Sequence, residues 1–309
     1  MSVVEGVDYA WGRPDPRTLY ALGKRFACRY LSYSTTNKNL TRTEAESLSN
    51  AGLSVVCVWE TTNDMTLGGF DVGKRHAADA YAQAYQCGAP FQPVIYFAVD
   101  FDATVASLRV VGDYFRGVST VIPLHRIGVY GGFRTVDFLW RNGFVSFLWQ
   151  TFAWSLYWHD SQGNWSLTRP DDPDATLRVR WHPQCHAQQY KNGVTIDGAD
   201  CDLDRAVKVD YGQWRIGETV KLNEDVDFWY MMHRVKGIVD NADPIVIPDH
   251  PATSYKGRTE PNLLAQAIAA AGGGGAVDPT TLYRLVATDA TGADQPEPIV
   301  NVGTVTTEG

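Results

Sequence analysis

The sequence predicts an α/β fold of the (β/α)8-barrel kind over residues 1–212, followed by an irregular C-terminal extension. Three observations predict it. Short, almost continuously apolar runs alternate with helical segments from the first residues onward, the pattern of a parallel sheet buried on both faces. Eight such runs fit within about 210 residues, near the lower size of a compact barrel. Nearly every run ends on a polar or charged residue, where barrels carry their active sites. The rival is an open doubly wound sheet, which the lack of a Gly-rich phosphate turn after the first run weakens.

The elements follow in order. Val3 to Asp8 is an extended run ending in a carboxylate. Pro16 to Leu22 suits a helix closed by Gly23. Phe26 to Leu31 is the second strand. Thr41 and Glu44 form a capping box in which each side chain can satisfy an orphan N–H, and the helix they open runs to Asn50. Leu53 to Trp59 is the third strand, with Glu60 at its end. Asp71 to Cys87 is an Ala-rich helix stopped by Gly88 and Pro90. Pro93 to Val99 is the fourth strand, leading into Asp100-Phe101-Asp102. Helix Leu108 to Val118, strand Arg126 to Tyr130 and helix Phe133 to Asn142 come next. Phe147 to Trp154 is the sixth strand. A polar insertion follows, His159 to Asp174, then a short seventh strand, His186 to Tyr190, and an eighth from Cys201 to Asp204.

After Asp210 the repeat ends. Residues 213–258 read as an extension packing on or linking from the barrel. Residues 259–309 hold a short apolar helix (Pro261 to Ala271), a Gly-rich joint and a tail, and read as a tether or assembly segment.

Composition narrows the classes of function. A formal net charge of −8 argues against nucleic acid, whose phosphates require a basic stripe. No run is long enough to span a membrane, and the start lacks the basic and apolar regions of a signal peptide. The five cysteines are odd in number and form no C-x-x-C, so they read as buried free thiols of a protein folded in a reducing compartment. No cofactor motif occurs. Asp197, Asp200, Asp202 and Asp204 lack EF-hand spacing, and His182, Cys185 and His186 lack a second ligand pair, so no metal site is expected.

The strand ends carry Asp8, Arg29, Glu60, Asp100, Asp102, Tyr130, Gln150, Gln189, Asp202 and Asp204. Asp100 and Asp102 stand at i and i+2, so on a continuing strand both face the barrel mouth. Two close carboxylates cannot easily both ionise, so one retains a proton to donate. Glycoside hydrolysis needs such an acid beside a second carboxylate. The competing reading is that Asp102 caps the following helix, with Thr104 nearby. Arg29 is expected to point inward, either pairing with a barrel carboxylate such as Asp8 or touching substrate. Glu60 either binds substrate or pairs with Arg29. Trp149, Trp154, Tyr157 and Trp158 are either sugar platforms or packing.

Gly6-Val7-Asp8-Tyr9, Arg29-Tyr30-Leu31-Ser32, Val58-Trp59-Glu60, Tyr96 through Asp102, Gly128-Val129-Tyr130-Gly131, Trp149-Gln150-Thr151 and Ala153-Trp154-Ser155 resemble a glycoside-hydrolase-like domain of actinobacteria and their phages, a domain of unknown function. The resemblance covers residues 3 to about 212 and leaves the tail uncovered. That family is distantly similar to the family-25 lysozymes, which cut the glycan of peptidoglycan. The resemblance implies Asp8, Asp100 and Asp202 as the family's aspartates, with Asp102 replacing the Glu that donates the proton. An Asp carboxyl sits about 1.5 Å further back by ordinary bond lengths, and misplacement on that scale costs around a hundredfold in rate.

The sequence reading is therefore a glycosidase acting on cell-wall polysaccharide. Asp102 is the expected acid, Asp100, Asp8 and Asp202 assist it, and Arg29, Glu60, Tyr130, Gln150, Gln189 and Trp154 bind substrate. The alternative is a non-catalytic wall-binding or phage-tail module joined to virion tail proteins through its C-terminal segment.

Overall fold

The computed structural model describes residues 3–217; most of the extension and all of residues 259–309 lie outside them. The described elements are β1 (Val4–Asp8), α1 (Pro16–Ala21), β2 (Phe26–Leu31), α2 (Arg42–Asn50), β3 (Ser54–Trp59), α3 (Gly69–Gln86), β4 (Ile95–Ala98), α4 (Val105–Ser119), β5 (Ile127–Gly131), α5 (Phe133–Arg141), β6 (Phe147–Thr151), β7 (Leu156–His159), β8 (Trp165–Ser166), β9 (Thr176–Val179), β10 (Ala187–Ile196) and β11 (Ala199–Ala206). Eight of the strands close a barrel in the order β1-β11-β10-β6-β5-β4-β3-β2. Thr41 caps α2 by accepting from Glu44 N at 3.2 Å. The start of the extension packs on the barrel, where Trp214 bridges Val55.

The closed eight-stranded barrel matches the expectation, but the regular eightfold alternation does not hold. β11 runs antiparallel to both of its neighbours, so the barrel is mixed. Between β6 and β10 the chain builds a separate three-stranded antiparallel sheet, order β8-β7-β9, rather than a crossover helix. The reason for the reversed strand is local. Asp197 and Gly198 link β10 to β11 with φ of 50° and 75°, the two left-handed residues of a type I′ hairpin turn. A two-residue link can only join antiparallel strands. That Asp-Gly pair was legible as a hairpin signal, whereas the sequence reading weighed Asp197 only as a metal ligand. β7, β8 and β9 escaped notice because they are short and half exposed, with no periodic apolar face.

Strand parity decides what faces the interior. Register partners on adjacent strands share a face. Tyr30 pairs with Val58, Val58 with Tyr96, Tyr96 with Gly128, and Tyr130 with Trp149. Trp149 pairs with Ala187, Gln189 with Asp204, and Asp204 with Gly6. Phe26, Cys28 and Tyr30 therefore point into the barrel, while Ala27, Arg29 and Leu31 point to the helical layer. All five cysteines are free and buried.

Arg29 was expected to point inward and lies on the outer face instead, fully buried against α2. Its Nε donates to Glu44 Oε1 at 2.7 Å and its Nη1 to the Tyr9 carbonyl. Glu44 also accepts from Arg13 Nε at 3.0 Å and from the Tyr9 hydroxyl at 3.1 Å. The expected pairings of Arg29 with Asp8 or Glu60 are replaced by this one. The Glu44 carboxylate is turned to arginine and leaves the capping of α2 to Thr41. Glu60 pairs instead with Lys38 Nζ at 2.7 Å. We expect Glu44→Ala to cost roughly 3–5 kcal/mol, because it strands a buried guanidinium, and Glu60→Gln about 1 kcal/mol or less, its pair being nearer to water. Urea denaturation of the two variants measures the difference.

Candidate active site

The barrel's C-terminal mouth gathers side chains from five strands around Gln189, on β10. Its Nε2 donates to Asp8 Oδ2 at 2.8 Å and to Asp202 Oδ2 at 3.1 Å. Its Oε1 accepts from the Tyr130 hydroxyl at 2.9 Å and from Thr151 Oγ1 at 2.7 Å. With two carboxylates on one side and two hydroxyls on the other, the amide has one sensible orientation and no spare capacity. Asp8 also accepts from the Tyr30 hydroxyl at 3.2 Å. Asp202 Oδ1 accepts from Gly193 N at 2.9 Å.

Below this layer lies Asp204, fully buried. The indole of Trp149 donates to its Oδ1 at 2.8 Å. Among the described residues no donor reaches its Oδ2, and the Asp8 carboxyl is its charged neighbour on the adjacent strand. Two carboxyls buried as neighbours cannot easily both ionise. Burial, then the neighbouring Asp202 charge, pushes Asp8 up to about 7. Burial and the Asp8 charge push Asp204 up as well. Asp202 is raised chiefly by loss of water, against the lowering bond from Gly193.

Asp100 is half-buried at the same mouth. Loss of water, then the charge of Glu60, raises it to about 6, against the lowering pull of Lys38. Asp202 raises it further. Lys38 stands over the Tyr30 ring at 4.5 Å, which places the Lys38–Glu60 pair at the rim of the cluster.

The structure thus brings together Asp8, Asp100, Asp202, Gln189 and Tyr130 of the expected residues, with Glu60 at the edge. It does not bring Asp102. β4 ends at Ala98, so strand alternation no longer governs the Asp-Phe-Asp segment. The Asp102 side chain is 67% exposed and faces Arg134, whose Nη1 is 3.9 Å away. Nor does Asp102 cap α4: Thr104 does, accepting from Ser107 N at 3.2 Å. Gln150 points outward and is fully buried. Its Nε2 donates to Ser155 Oγ at 2.9 Å and to the Arg180 carbonyl at 2.7 Å, and its Oε1 accepts from His182 N at 2.8 Å. Its work is to staple both ends of the β7–β9 insertion to the barrel. Trp154 is half-buried on the loop after β6. It packs so closely on the start of α5 that a Cβ at Gly132 would lie 2.6 Å from its carbonyl oxygen.

Sequence reasoning left Tyr30 and Thr151 out of the site and considered Asp204 only as a strand end or metal ligand. The signal for Asp204 was present: Asp202 and Asp204 are two apart on a strand, so one face holds both. Among the described residues, no group of three or more His, Cys, Asp or Glu is placed to hold a metal ion.

Residues 17–209 match the family model described as the Rv2525c-like, glycoside hydrolase-like domain. The chain belongs to that family. It is 26% identical over 219 residues to Rv2525c of Mycobacterium tuberculosis, a protein provisionally named a peptidoglycan hydrolase, covering 67% of this chain and 82% of that one. The crystal structure of the Tat-secreted Rv2525c in complex with L-tartrate has the same fold, with a TM-score of 0.58 and 24% identity over 69% of this chain and 100% of that one. FadG of Bacillus subtilis, an uncharacterized protein, is 29% identical over 143 residues, which are 42% of this chain and 25% of FadG.

The raised carboxyls give the site a measurable signature. Asp8 and Asp100 bind protons more tightly folded than unfolded, so their contribution to stability is full below about 4 and is lost as pH rises toward 6 and 7. Asp204 adds to the same trend through its raised pKa. We expect the melting temperature to fall across that interval. Asp204→Asn, which supplies a permanent N–H toward Asp8, should flatten the fall. Melting curves between pH 4 and pH 8 measure both.

Proposed function

We propose that this chain hydrolyses glycosidic bonds in bacterial cell-wall glycan, with Asp100 as the proton donor. The observation that carries the reading is the Asp100 carboxyl itself. It is half-buried at the barrel mouth, raised to about 6, and flanked by the carboxylates of Glu60 and Asp202. A glycosidase needs one carboxyl that still holds its proton near working pH and a second that is ionised. Asp100 gives its proton to the leaving glycosidic oxygen. Asp202, oriented by Gln189 and Gly193, is the carboxylate that faces the positive charge developing at the anomeric carbon or activates water. Beneath it burial raises both Asp8 and Asp204, which limits the negative charge under the site. The glycan substrate is supported by membership of a glycoside-hydrolase-like family and by a relative provisionally named a peptidoglycan hydrolase.

The test is incubation of the purified protein with isolated bacterial cell walls, scoring new reducing ends. Asp100→Asn should lose roughly 10²–10⁴-fold in rate, the usual share of general acid catalysis. Asp102→Asn should lose far less. For the wild type, kcat/KM should fall about tenfold per pH unit above about 6, as the Asp100 proton is lost. An undiminished Asp100→Asn rate overturns the assignment of the acid.

One observation favours a second reading, a wall-binding module without hydrolysis: the second carboxyl of the Asp-Phe-Asp segment stands outside the cluster beside Arg134. On that reading the folded wild type sediments with walls and releases no reducing ends. A phage-tail role through residues 259–309 belongs to this reading, and deleting them would abolish incorporation into particles while sparing wall binding.

A further inference from the structure

A cavity opens at the same end of the barrel as the carboxyl cluster, since its walls come from the segments after β4, β5 and β6. It measures about 200 Å³ and is lined by Asp102, Arg134, Trp154, Leu156, Tyr157 and Leu167. Asp102 lies two residues beyond Asp100. The outer wall, Leu156 through Leu167, belongs to the β7–β9 insertion that Gln150 and Ser155 pin in place.

Two features set this cavity apart from an ordinary surface dip. Arg134 is anchored from behind, its Nη1 donating to the Ala103 carbonyl at 2.7 Å. The same nitrogen is 3.9 Å from Asp102 Oδ1, beyond hydrogen-bonding distance. Arg134 also stands against the Tyr157 hydroxyl, and its remaining N–H groups and the exposed Asp102 carboxylate face each other at one lip across that gap. Beside them Leu156 and Leu167 are 46% and 58% exposed. Two open leucines next to a parted ion pair suit a ligand that carries both charges on a short aliphatic frame.

We infer that this cavity is a subsite for the peptide stems of cell-wall glycan, with a stem carboxylate on Arg134, a stem ammonium on Asp102, and small aliphatic side chains against Leu156 and Leu167. The glycan strand itself is rich in neutral hydroxyls and satisfies the paired charges less well than a peptide does. Guanidinium–carboxylate hydrogen bonds are charge-assisted and directional, so the subsite selects strands that still carry their peptides. It also gives Asp102 a role that its exposure allows, that of a binding carboxylate. The inference rests on the cell-wall reading above but not on catalysis.

The experiment measures affinity for three probes: glycan strands with intact peptide stems, the same strands after amidase removal of the stems, and the free stem peptide. For the wild type, stem-bearing strands should bind about tenfold tighter than stripped ones, the scale of one charge-assisted hydrogen bond. Free peptide should bind weakly and compete only at this subsite. Arg134→Gln should bring the ratio near one, Arg134→Lys should retain part of it, and Leu167→Asp, at an exposed position, should lower it by repelling the stem carboxylate. A wild-type ratio of one overturns the inference, as does a ratio that survives both Arg134→Gln and Leu167→Asp. Reducing-end release is read in parallel on the same strands. Cleavage without stem preference removes this inference and leaves the hydrolase standing. Stem preference without cleavage does the reverse.

Discussion

The burial of two neighbouring carboxyls, Asp8 and Asp204, is the constraint around which the barrel interior is arranged. Both carboxyls are buried, and they meet from adjacent strands. Lost hydration and mutual repulsion act in the same direction on such a pair, and both carboxyls are pushed up. The surrounding groups then follow: the Trp149 indole donates to the outer oxygen of Asp204, while Tyr30 and Gln189 donate to Asp8. Gln189 can serve two carboxylates only because Tyr130 and Thr151 occupy its oxygen.

The reversed last strand makes this arrangement possible. Closing the barrel with a hairpin places Asp202 opposite Asp8 and Asp204 opposite Gly6. One short stretch of β11 thus supplies the buried acid and, one layer above, the half-buried carboxylate at the mouth. Asp100, arriving from the opposite side of the barrel, meets this charge with its own burial and with Glu60 beside it, and so retains a proton close to neutral pH. The helical layer stays out of this chemistry. Its buried charge is the Arg29–Glu44 pair, which binds β2 to α2.

Family membership gives the fold and a glycoside-hydrolase-like architecture. The chemistry must come from the site, because one barrel architecture hosts many reactions. Here Asp102 stands away from the cluster and lines a charged cavity at the rim, while Asp100 lies at the mouth with its pKa raised by burial and by Glu60.

Much of this was legible in the sequence. Continuous apolar runs ending in carboxylates identify buried parallel strands, and their polar ends identify Asp8, Asp100, Asp202, Gln189 and Tyr130, since local pattern and strand ends are properties of short segments. The direction of Arg29 was not legible, because β2 is apolar on both faces and parity has no visible reference until its neighbours set the register. The fate of Asp102 was not legible either, since it depends on where the β4 ladder stops, which the paired strands decide. The partner of Glu44, the staple formed by Gln150 and the neighbouring of Asp8 with Asp204 join residues far apart in the chain. The sequence by itself determined which residues could carry charge at the barrel's ends. Only the tertiary structure decided which of them lose water and meet one another, because hydration and Coulomb repulsion depend on distance in space and not on separation along the chain.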